Sequence, residues 1–343
     1  MTSTKEYTAI KSDFSQYKAS QKLKQIAQNP FDLTKNKNLN EQRIARFSAE
    51  SCGYKLLYAT ERVDEDTMKS LADLAQEAQA LKKMEKLQSG ETMNFIQGFP
   101  SENRPALHTA TRDFFENPQK SKAAAEAAKL ARHEADKLNA FMEKIDKENR
   151  FQELIVIGIG GSDLGPKAHY LALLHLQMPS RRIHFISNID PDNVAHVVGK
   201  ANLSKSLVLV NSKSGTTLET VTNEAFMRDQ FTKAGLKPEE HFISISIKGS
   251  PLDNPKKYKE CFYVWDWVGG RFSTSSMVGG FILAFAFGFD TYWEFLRGAN
   301  AWSPSCAQRP HGRIPCRRAQ RALDARPVER GDRGRQDLRS RGG

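Results

Sequence analysis

The sequence predicts an α/β protein, a doubly wound parallel sheet in a three-layer α-β-α arrangement with a helical N-terminal extension. Two observations carry this prediction. From residue 153 onward, five short and nearly apolar segments follow one another, separated by stretches with helical periodicity. Before residue 150, most of the chain has helical periodicity. Short apolar strands that alternate with helices are typical of parallel sheets covered by helices on both faces.

Length and composition are those of a soluble globular protein. The chain has 343 residues, of which 39% are hydrophobic and 27% charged. The longest apolar run, residues 277–289, is too short to span a bilayer and predicts a buried helix. The N-terminus has no apolar segment typical of a signal peptide, and the four cysteines show no metal-site spacing. We therefore expect a cytoplasmic protein with reduced thiols and no membrane contact.

The net charge of +11 is concentrated near the C-terminus. Residues 301–343 hold 11 arginines, no lysine and 4 acidic residues, a net charge of +7, which leaves +4 for the first 300 residues. The body of the chain is therefore only mildly basic. Non-specific nucleic-acid binding through this arginine-rich segment is one interpretation, but no interleaved aromatic residues favour base stacking there, and we expect no specific nucleic-acid partner.

The first 149 residues predict helices and one short strand. Residues 54–61 are typical of a strand. Residues 64–90 predict one helix with an acidic start, a basic end and a glycine stop. Residues 101–118 begin as a loop and turn helical, and residues 119–149 predict a long amphipathic helix. We divide the chain into an N-terminal helical region, 1–118, the α/β domain, 119–301, and the arginine-rich tail, 302–343.

The five predicted strands end in loops that carry polar residues. The strands are residues 153–160, 182–189, 205–212, 240–248 and 260–267. In doubly wound sheets, ligands bind beyond the carboxyl ends of the strands. Three of the loops at these ends have compositions suited to an anionic ligand, and we name them the glycine loop, 158–166, the hydroxyl loop, 211–220, and the arginine loop, 269–276.

The glycine loop reads GIGGSDLGP and matches neither of two common nucleotide-binding patterns. The dinucleotide fingerprint G-x-G-x-x-G needs glycine where Asp163 stands, and the P-loop needs lysine where Pro166 stands. What remains is a glycine-rich turn that leads into a helix N-terminus, where backbone N–H groups and the helix dipole favour an anionic or oxygen-rich ligand. A plain strand-to-helix turn is the alternative interpretation.

The hydroxyl loop reads NSKSGTTLET and places five hydroxyl side chains within nine positions. Its N–H groups, hydroxyls and the charge of Lys213 suit a phosphate. The alternative is an ordinary helix start, with Ser214 or Thr216 as N-cap and Glu219 completing a capping box. The cap alone does not explain why this loop follows a strand of the same sheet as the glycine loop.

The arginine loop reads GGRFSTSS and directly follows the last predicted strand. Its two glycines allow the backbone to approach a ligand closely, and Arg271 offers a permanently charged donor group. The alternative is that Arg271 only forms a structural salt bridge.

With these loops in hand, the sequence resembles the glucose-6-phosphate isomerase family. GIGGSDLGP resembles the first sugar-binding loop of the family, and GGRFS its arginine segment. SKSGTTLET is similar to the phosphate loop often written SKTFTT, from which Ser214 and Gly215 depart. The segments SGETMN, SENRPALHTATR and FLRGANA are also similar to family segments, in the same order, so that the resemblance runs from about residue 40 to residue 301.

The resemblance implies two doubly wound subdomains, a homodimer with composite active sites, and interconversion of glucose 6-phosphate and fructose 6-phosphate without a metal or other cofactor. It implies that Ser212, Lys213, Ser214 and Thr217 hold the substrate phosphate. It further implies that the sugar is contacted by Gly161, Ser162 and Gly270. Arg271 would be the catalytic group that stabilises negative charge on a cis-enediolate, a role that suits a fixed cation.

The segments that carry the family's catalytic glutamate, histidine and lysine have no match after Ala301. The composition changes there from 28 lysines and 12 arginines in the first 300 residues to arginine alone. We hypothesise a shifted reading frame near residue 301; a natural basic tail is the alternative. In either case we expect a disordered tail and a second subdomain that is largely missing, with apolar surface exposed.

The sequence therefore predicts a chain of the isomerase family that keeps the phosphate and arginine loops, with inactivity of this chain left open. A non-catalytic module that binds sugar phosphates is the first alternative, and a nucleic-acid binder that uses the arginine-rich tail is the second.

Overall fold

The computed structural model describes residues 14–305 except positions 36, 52, 97 and 117. It divides into two compact units, which in this range comprise residues 14–28 with 65–305, and residues 29–64. Helix α1 (Lys18–Ile26) belongs to the larger unit. The tail predicted to be disordered begins at residue 302; its residues 302–305 belong to a helix that ends at Ser305, and those from 306 onward lie outside the described range.

The smaller unit joins a short helix, α2 (Glu41–Arg46), to a hairpin. Strands β1 (Ser48–Ser51) and β2 (Tyr54–Leu57) pair antiparallel, so the predicted strand has a partner that sequence reasoning missed. The buried guanidinium of Arg43 donates hydrogen bonds to the carbonyls of Ala59, Glu61 and Val63. One side chain thus fixes the chain that leaves the hairpin.

The predicted single helix over residues 64–90 is two helices, α3 (Glu65–Glu77) and α4 (Ala80–Ser89). The prediction was wrong because Gln79 adopts a left-handed conformation with φ of 51°, which interrupts the helical backbone. The stop at Gly90 is confirmed: its φ is 93°, and its backbone N–H bonds to the carbonyl of Leu87 at 3.2 Å.

Helix α5 (Lys122–Glu148) confirms the predicted long amphipathic helix. It begins where Ser121 accepts a hydrogen bond from the backbone N–H of Ala124 at 3.2 Å, and it ends at Asn149 in the left-handed region. Residues 101–118 contain a short 3-10 helix, His108–Arg112, between stretches of loop.

Five parallel strands form the sheet of the larger unit in the order β4-β3-β5-β6-β7. All five confirm predicted strands: β3 (Glu153–Ile157), β4 (Arg182–Ile186), β5 (Ser206–Asn211), β6 (Phe242–Ser246) and β7 (Glu260–Tyr263). The connection from β3 leads to one neighbour, β4, and the chain then returns to the other side of β3 as β5. The strand order therefore reverses beside β3, which is a topological switch point.

Helices cover both faces of the sheet and confirm the doubly wound α/β class. Together with α5, they are α6 (Leu164–Ala172), α7 (Pro191–Lys200), α8 (Leu218–Lys233), α9 (Met277–Phe287) and α10 (Phe289–Ser305). Leu154 and Val156 pack in one core with residues of α5, α6 and α9. Ile155 and Ile157 pack in a second core with residues of α7 and α8. Alternate residues of the buried strands thus serve opposite layers.

Helix α9 is the buried helix that its apolar run predicts, with all of its residues buried. Gly280 lies against the ring of Tyr292 in α10, where an added Cβ would sit 2.6 Å from Cζ. None of the helices in the described part of the chain is both long and apolar enough to cross a bilayer.

Candidate functional site

The glycine loop leaves β3 at the switch point and leads into α6. Gly160 adopts a positive φ of 58°, and residues Gly160–Ser162 form a short 3-10 turn. Asp163 is buried, and its carboxylate accepts a hydrogen bond from Ser187 Oγ at 2.8 Å, just after β4. This bond anchors the end of the turn that leads into α6, with Gly161 and Ser162 just before it.

The glycine loop and the arginine loop are in direct backbone contact. A Cβ added to Gly161 would lie 2.4 Å from the carbonyl carbon of Gly270, so only glycine fits. Ser273 Oγ donates a hydrogen bond to the carbonyl of Gly161 at 3.0 Å. The structure thus brings together the three predicted sugar-contacting residues, Gly161, Ser162 and Gly270, on two adjoining loops.

Asn211, at the end of β5, connects three elements of the site and was missed by sequence reasoning. Its side-chain amide donates to the carbonyl of Ser162 at 3.1 Å and to that of Val278 in α9 at 3.4 Å. The side chain is fully buried. The signal that points to it is a polar residue at the carboxyl end of an otherwise apolar strand.

The hydroxyl loop folds around Ser212. Ser212 Oγ lies 2.9 Å from Thr217 Oγ1 and accepts a hydrogen bond from the backbone N–H of Gly215 at 3.2 Å. Gly215 adopts a positive φ of 71°, which reverses the chain within the loop. Ser214 and Thr216 are exposed and hydrogen-bond to each other, with 3.0 Å between Thr216 Oγ1 and Ser214 Oγ. These hydroxyls line a turn at the carboxyl end of β5.

The predicted capping box at the start of α8 is not present. Thr217 occupies the N-cap position and makes no side-chain capping hydrogen bond, so neither Ser214 nor Thr216 is the cap. The reason is the bond between Thr217 and Ser212, which turns the Thr217 hydroxyl into the loop.

Lys213 points away from the hydroxyl turn. Its ammonium nitrogen donates to the backbone carbonyls of Asp266 at 2.9 Å and Val268 at 3.0 Å, just before the arginine loop. Burial, followed by the nearby charge of Arg104, lowers the pKa of this lysine, while Asp266 and Glu102 act in the opposite direction.

Arg271 is the second residue of a short 3-10 helix, Gly270–Ser275, and is exposed. Its guanidinium carbon lies 5.4 Å from the centroid of the Phe272 ring. Among the described residues, none places a carboxylate within ion-pair distance of this guanidinium. The structural salt bridge considered as an alternative role is therefore not formed in this part of the chain, and Arg271 has its donors available to an anion.

His108 packs against the arginine loop, and sequence reasoning did not identify it as a site residue. Its ring stacks on Phe272, with centroids 4.3 Å apart and an interplanar angle of 13°. Its Nδ1 is buried without a hydrogen-bond partner in the described part of the chain. Burial, followed by the charges of Arg112 and Arg271, lowers the pKa of His108 to about 4. The ring is therefore neutral near neutral pH.

We expect this histidine to make the protein less stable in mild acid. The unfolded chain binds a proton on His108 near pH 6.5, whereas the folded chain resists protonation down to about pH 4. Stability from this group is complete above pH 6.5 and is lost as the pH falls toward 4. With allowance for partial exposure, the loss is about 2 kcal/mol of unfolding free energy.

Urea unfolding at pH 4.5 and 7 checks this expectation. In His108→Gln the difference in unfolding free energy between the two pH values shrinks, whereas His196→Gln, at an exposed position of α7, keeps it. An unchanged difference in His108→Gln contradicts the assignment.

Within the described range, no three histidine, cysteine, aspartate or glutamate side chains come together as a metal ion would require. The three loops contribute hydroxyls, backbone groups, Lys213 and Arg271 to the candidate site. It lies where doubly wound α/β proteins bind ligands, beyond the strand ends at a switch point. The fold places the chain in the class of doubly wound α/β proteins, with the three loops together at this edge of the sheet.

Comparisons with known proteins identify the family within this class. A family model described as phosphoglucose isomerase matches residues 57–312. The chain is 54% identical over 290 residues to a glucose-6-phosphate isomerase of Protochlamydia amoebophila, covering 84% of this chain and 54% of the relative. It is 46% identical over 279 residues to that of Chlamydia abortus, covering 81% and 52%. The chain belongs to the phosphoglucose isomerase family.

A solved structure agrees with this assignment. The crystal structure of a glucose-6-phosphate isomerase from Chlamydia trachomatis D/UW-3/Cx superposes with a TM-score of 0.83 at 43% identity. The match covers 86% of this chain and 57% of the crystallised one. The chain thus spans about half the length of the curated relatives it matches.

Proposed function

We propose that this chain binds a hexose phosphate in the crevice between the ends of β3 and β5. We further propose that the site serves the interconversion of glucose 6-phosphate and fructose 6-phosphate. The observation that carries the proposal is that the glycine, hydroxyl and arginine loops converge at one edge of the sheet. Membership of the phosphoglucose isomerase family supports the choice of substrate.

The hydroxyl loop is the phosphate end of the proposed site. Ser212, Ser214 and Thr217 supply hydroxyl donors around the turn at Gly215, and Lys213 adds positive charge to the same turn. A tetrahedral phosphate offers several acceptor oxygens and suits such a set of converging donors better than a planar carboxylate does.

The sugar end is formed by the two loops in contact. Gly161, Ser162 and Gly270 have little or no side chain, so the backbone can approach the substrate closely. Arg271 stands beside them with its guanidinium available. In aldose–ketose isomerisation, negative charge develops on the enediolate oxygens, and a preformed cation stabilises that charge as it appears.

Proton transfer between C1 and C2 also requires a base. Asp163 lies in the glycine loop, but it is 3% exposed and bound to Ser187, so it is not placed for this role. The family resemblance assigns the base to a glutamate segment that has no match in this sequence. Binding and turnover therefore need separate measurements on this chain.

A homodimer in the cytoplasm is part of the same proposal. Leu164, Leu218 and Phe272, one in each of the three loops, are 68%, 72% and 47% exposed. Apolar side chains exposed beside a ligand crevice support contact with a second copy that completes the site.

Calorimetric titration of the 343-residue chain with fructose 6-phosphate tests the proposal. We expect binding of the phosphate ester but not of fructose, and about fivefold weaker binding by Ser212→Ala, which loses the hydroxyl that organises the loop. Ser204→Ala, at the opposite end of β5, should bind like the wild type. Formation of glucose 6-phosphate is measured in parallel.

Binding with turnover supports an active isomerase, and binding without turnover favours the non-catalytic module. Equal affinity for fructose and its phosphate ester, or no binding of either, contradicts the proposal.

A further inference from the structure

The side chain of Lys213 connects the hydroxyl loop to the segment that leads into the arginine loop. Its ammonium group has three protons to donate. Three acceptors surround it: the backbone carbonyls of Asp266 at 2.9 Å and Val268 at 3.0 Å, and the carboxylate of Asp266 at 3.3 Å. All three donors are therefore accounted for by the segment that leads into the arginine loop.

Both ends of this bridge are anchored. At the lysine end, the backbone carbonyl of Lys213 accepts a hydrogen bond from the N–H of Ile247 at 3.0 Å, which fixes it beside the end of β6. At the other end, Val268 is fully buried and its N–H bonds to the carbonyl of Trp265 at 3.0 Å. Lys213 thus links the fixed end of β6 to the hydrogen-bonded turn at residues 265–268.

The turn that Lys213 holds immediately precedes Arg271. Trp265 and Trp267 stack with centroids 4.8 Å apart and an interplanar angle of 2°, which stiffens the segment. Gly269 and Gly270 follow Val268 directly, and without side chains they depend on their flanks for a fixed conformation. The hydrogen bonds of Lys213 to Asp266 and Val268 restrain the segment just before these glycines.

A second cation, Arg104, shares the carboxylate of Asp266 with Lys213. Arg104 forms an ion pair with the carboxylate of Asp266 and a further one with Glu102 at 3.4 Å. The carboxylate of Asp266 therefore forms ion pairs with both Lys213 and Arg104. Arg104 lies far upstream in the sequence, in the segment SENRPALH. The carboxylate is a shared anchor for three segments of the site.

A direct role of the ammonium as phosphate ligand conflicts with these contacts. To reach an anion at the hydroxyl turn, Lys213 would have to leave the two carbonyls, and the buried Val268 carbonyl would lose this charged donor. Leaving a buried carbonyl without a partner costs about 1–3 kcal/mol. The bridging geometry is therefore the more favourable position for this side chain.

We propose that Lys213 is a positioning residue: its side chain holds the arginine loop at a fixed distance from the hydroxyl loop. An anion bound at the hydroxyl turn is thereby coupled to the position of Arg271, and this coupling rests on the function proposed above. The charge of the lysine acts on the hydroxyl turn through space, while its ammonium group donates its hydrogen bonds to Asp266 and Val268, just before the arginine loop.

Amide hydrogen exchange on the free 343-residue chain tests the bridge without any ligand. In Lys213→Met we expect amides of residues 264–272 to exchange roughly tenfold faster than in the wild type, because the tether is removed. The amides of β3 and β5 should keep their protection. Lys213→Arg retains donors for the two carbonyls and should restore most of the protection, whereas Lys205→Met, at the opposite end of β5, should resemble the wild type.

The coupling is tested by adding inorganic phosphate, with binding measured separately by calorimetry. In the wild type, bound phosphate should slow exchange over residues 264–272, and in Lys213→Met phosphate should bind without slowing it. Unchanged exchange of this segment in the free Lys213→Met variant overturns the proposal. Loss of phosphate binding in that variant with unchanged loop exchange also overturns it, and indicates a direct ligand instead.

Two further outcomes separate this inference from the proposed function. If the wild type binds neither phosphate nor fructose 6-phosphate, the proposed function fails, while exchange in the free chain still decides the bridge. If Lys213→Met does not fold, Asp266→Asn serves instead, since the Asp266 side chain is 64% exposed. It should accelerate exchange of residues 267–272 by roughly threefold, and no acceleration overturns the proposal.

Discussion

Replacing Gly161 with alanine is expected to destabilise the protein by about 3 kcal/mol and to abolish hexose phosphate binding. The new Cβ would lie 2.4 Å from the carbonyl carbon, 2.6 Å from Cα and 2.7 Å from the carbonyl oxygen of Gly270. All three are backbone atoms, so no side-chain rotation relieves the overlap. The glycine and arginine loops must separate, and the hydrogen bond from Ser273 to the Gly161 carbonyl is lost with them.

Gly199→Ala is the matched control. Gly199 lies in α7, and an added Cβ there has no atom within 4 Å. Alanine is the better helix former, so this variant should be as stable as the wild type or more stable, by up to about 1 kcal/mol. Urea unfolding and calorimetry with fructose 6-phosphate measure both variants. An unfolding free energy of Gly161→Ala within about 0.5 kcal/mol of the wild type would show that the loops do not touch as described.

Replacing Arg271 with alanine is expected to remove the site's preference for negative charge at C1 and C2. In 6-phosphogluconate, a carboxylate stands at C1, close to where the enediolate would develop its charge. We expect Arg271→Ala to weaken binding of this acid by about 2 kcal/mol, roughly thirtyfold, because a charge-assisted hydrogen bond is lost. Binding of fructose 6-phosphate should weaken less, since the fructose moiety itself carries no charge.

The unfolding free energy of Arg271→Ala shows whether weaker binding comes from the lost charge or from misfolding. Arg271 is exposed, so its replacement should leave the unfolding free energy nearly unchanged. Arg297→Ala, which removes an exposed arginine that pairs with Glu294 at 3.2 Å, serves as the control and should bind both ligands like the wild type. Any turnover of glucose 6-phosphate should fall in Arg271→Ala by roughly a hundredfold or more. Equal losses for the acid and for fructose 6-phosphate would contradict the proposed role.

Much of the fold could be predicted because its signals are local. Each strand of the sheet belongs to a short, nearly apolar segment, and α9 is an uninterrupted apolar helix. The break at Gln79 could not be predicted, since the helical side-chain pattern continues through it while the backbone turns. The partner strand β1 was missed because its sequence, SAES, carries no strand-like alternation.

The candidate site was predictable as three loops but not as a set of contacts. The sequence placed polar and glycine residues after apolar strands, and that sufficed to select the glycine, hydroxyl and arginine loops. It did not indicate that Asn211 joins the first loop to α9 or that His108 stacks beneath Phe272. These contacts join residues that are 49 to 164 positions apart, so local patterns carry no trace of them.

By itself, the sequence determined which residues form the five strands of the parallel sheet, which loops follow them, and which protein family the motifs resemble. Only the tertiary structure decided which loops meet. The order β4-β3-β5-β6-β7 places the ends of β3 and β5 side by side and brings the turn after β7 across to Gly161. It also decided the direction of Lys213, because a flexible cation takes whichever partners the fold brings within reach, and here those are two carbonyls before the arginine loop.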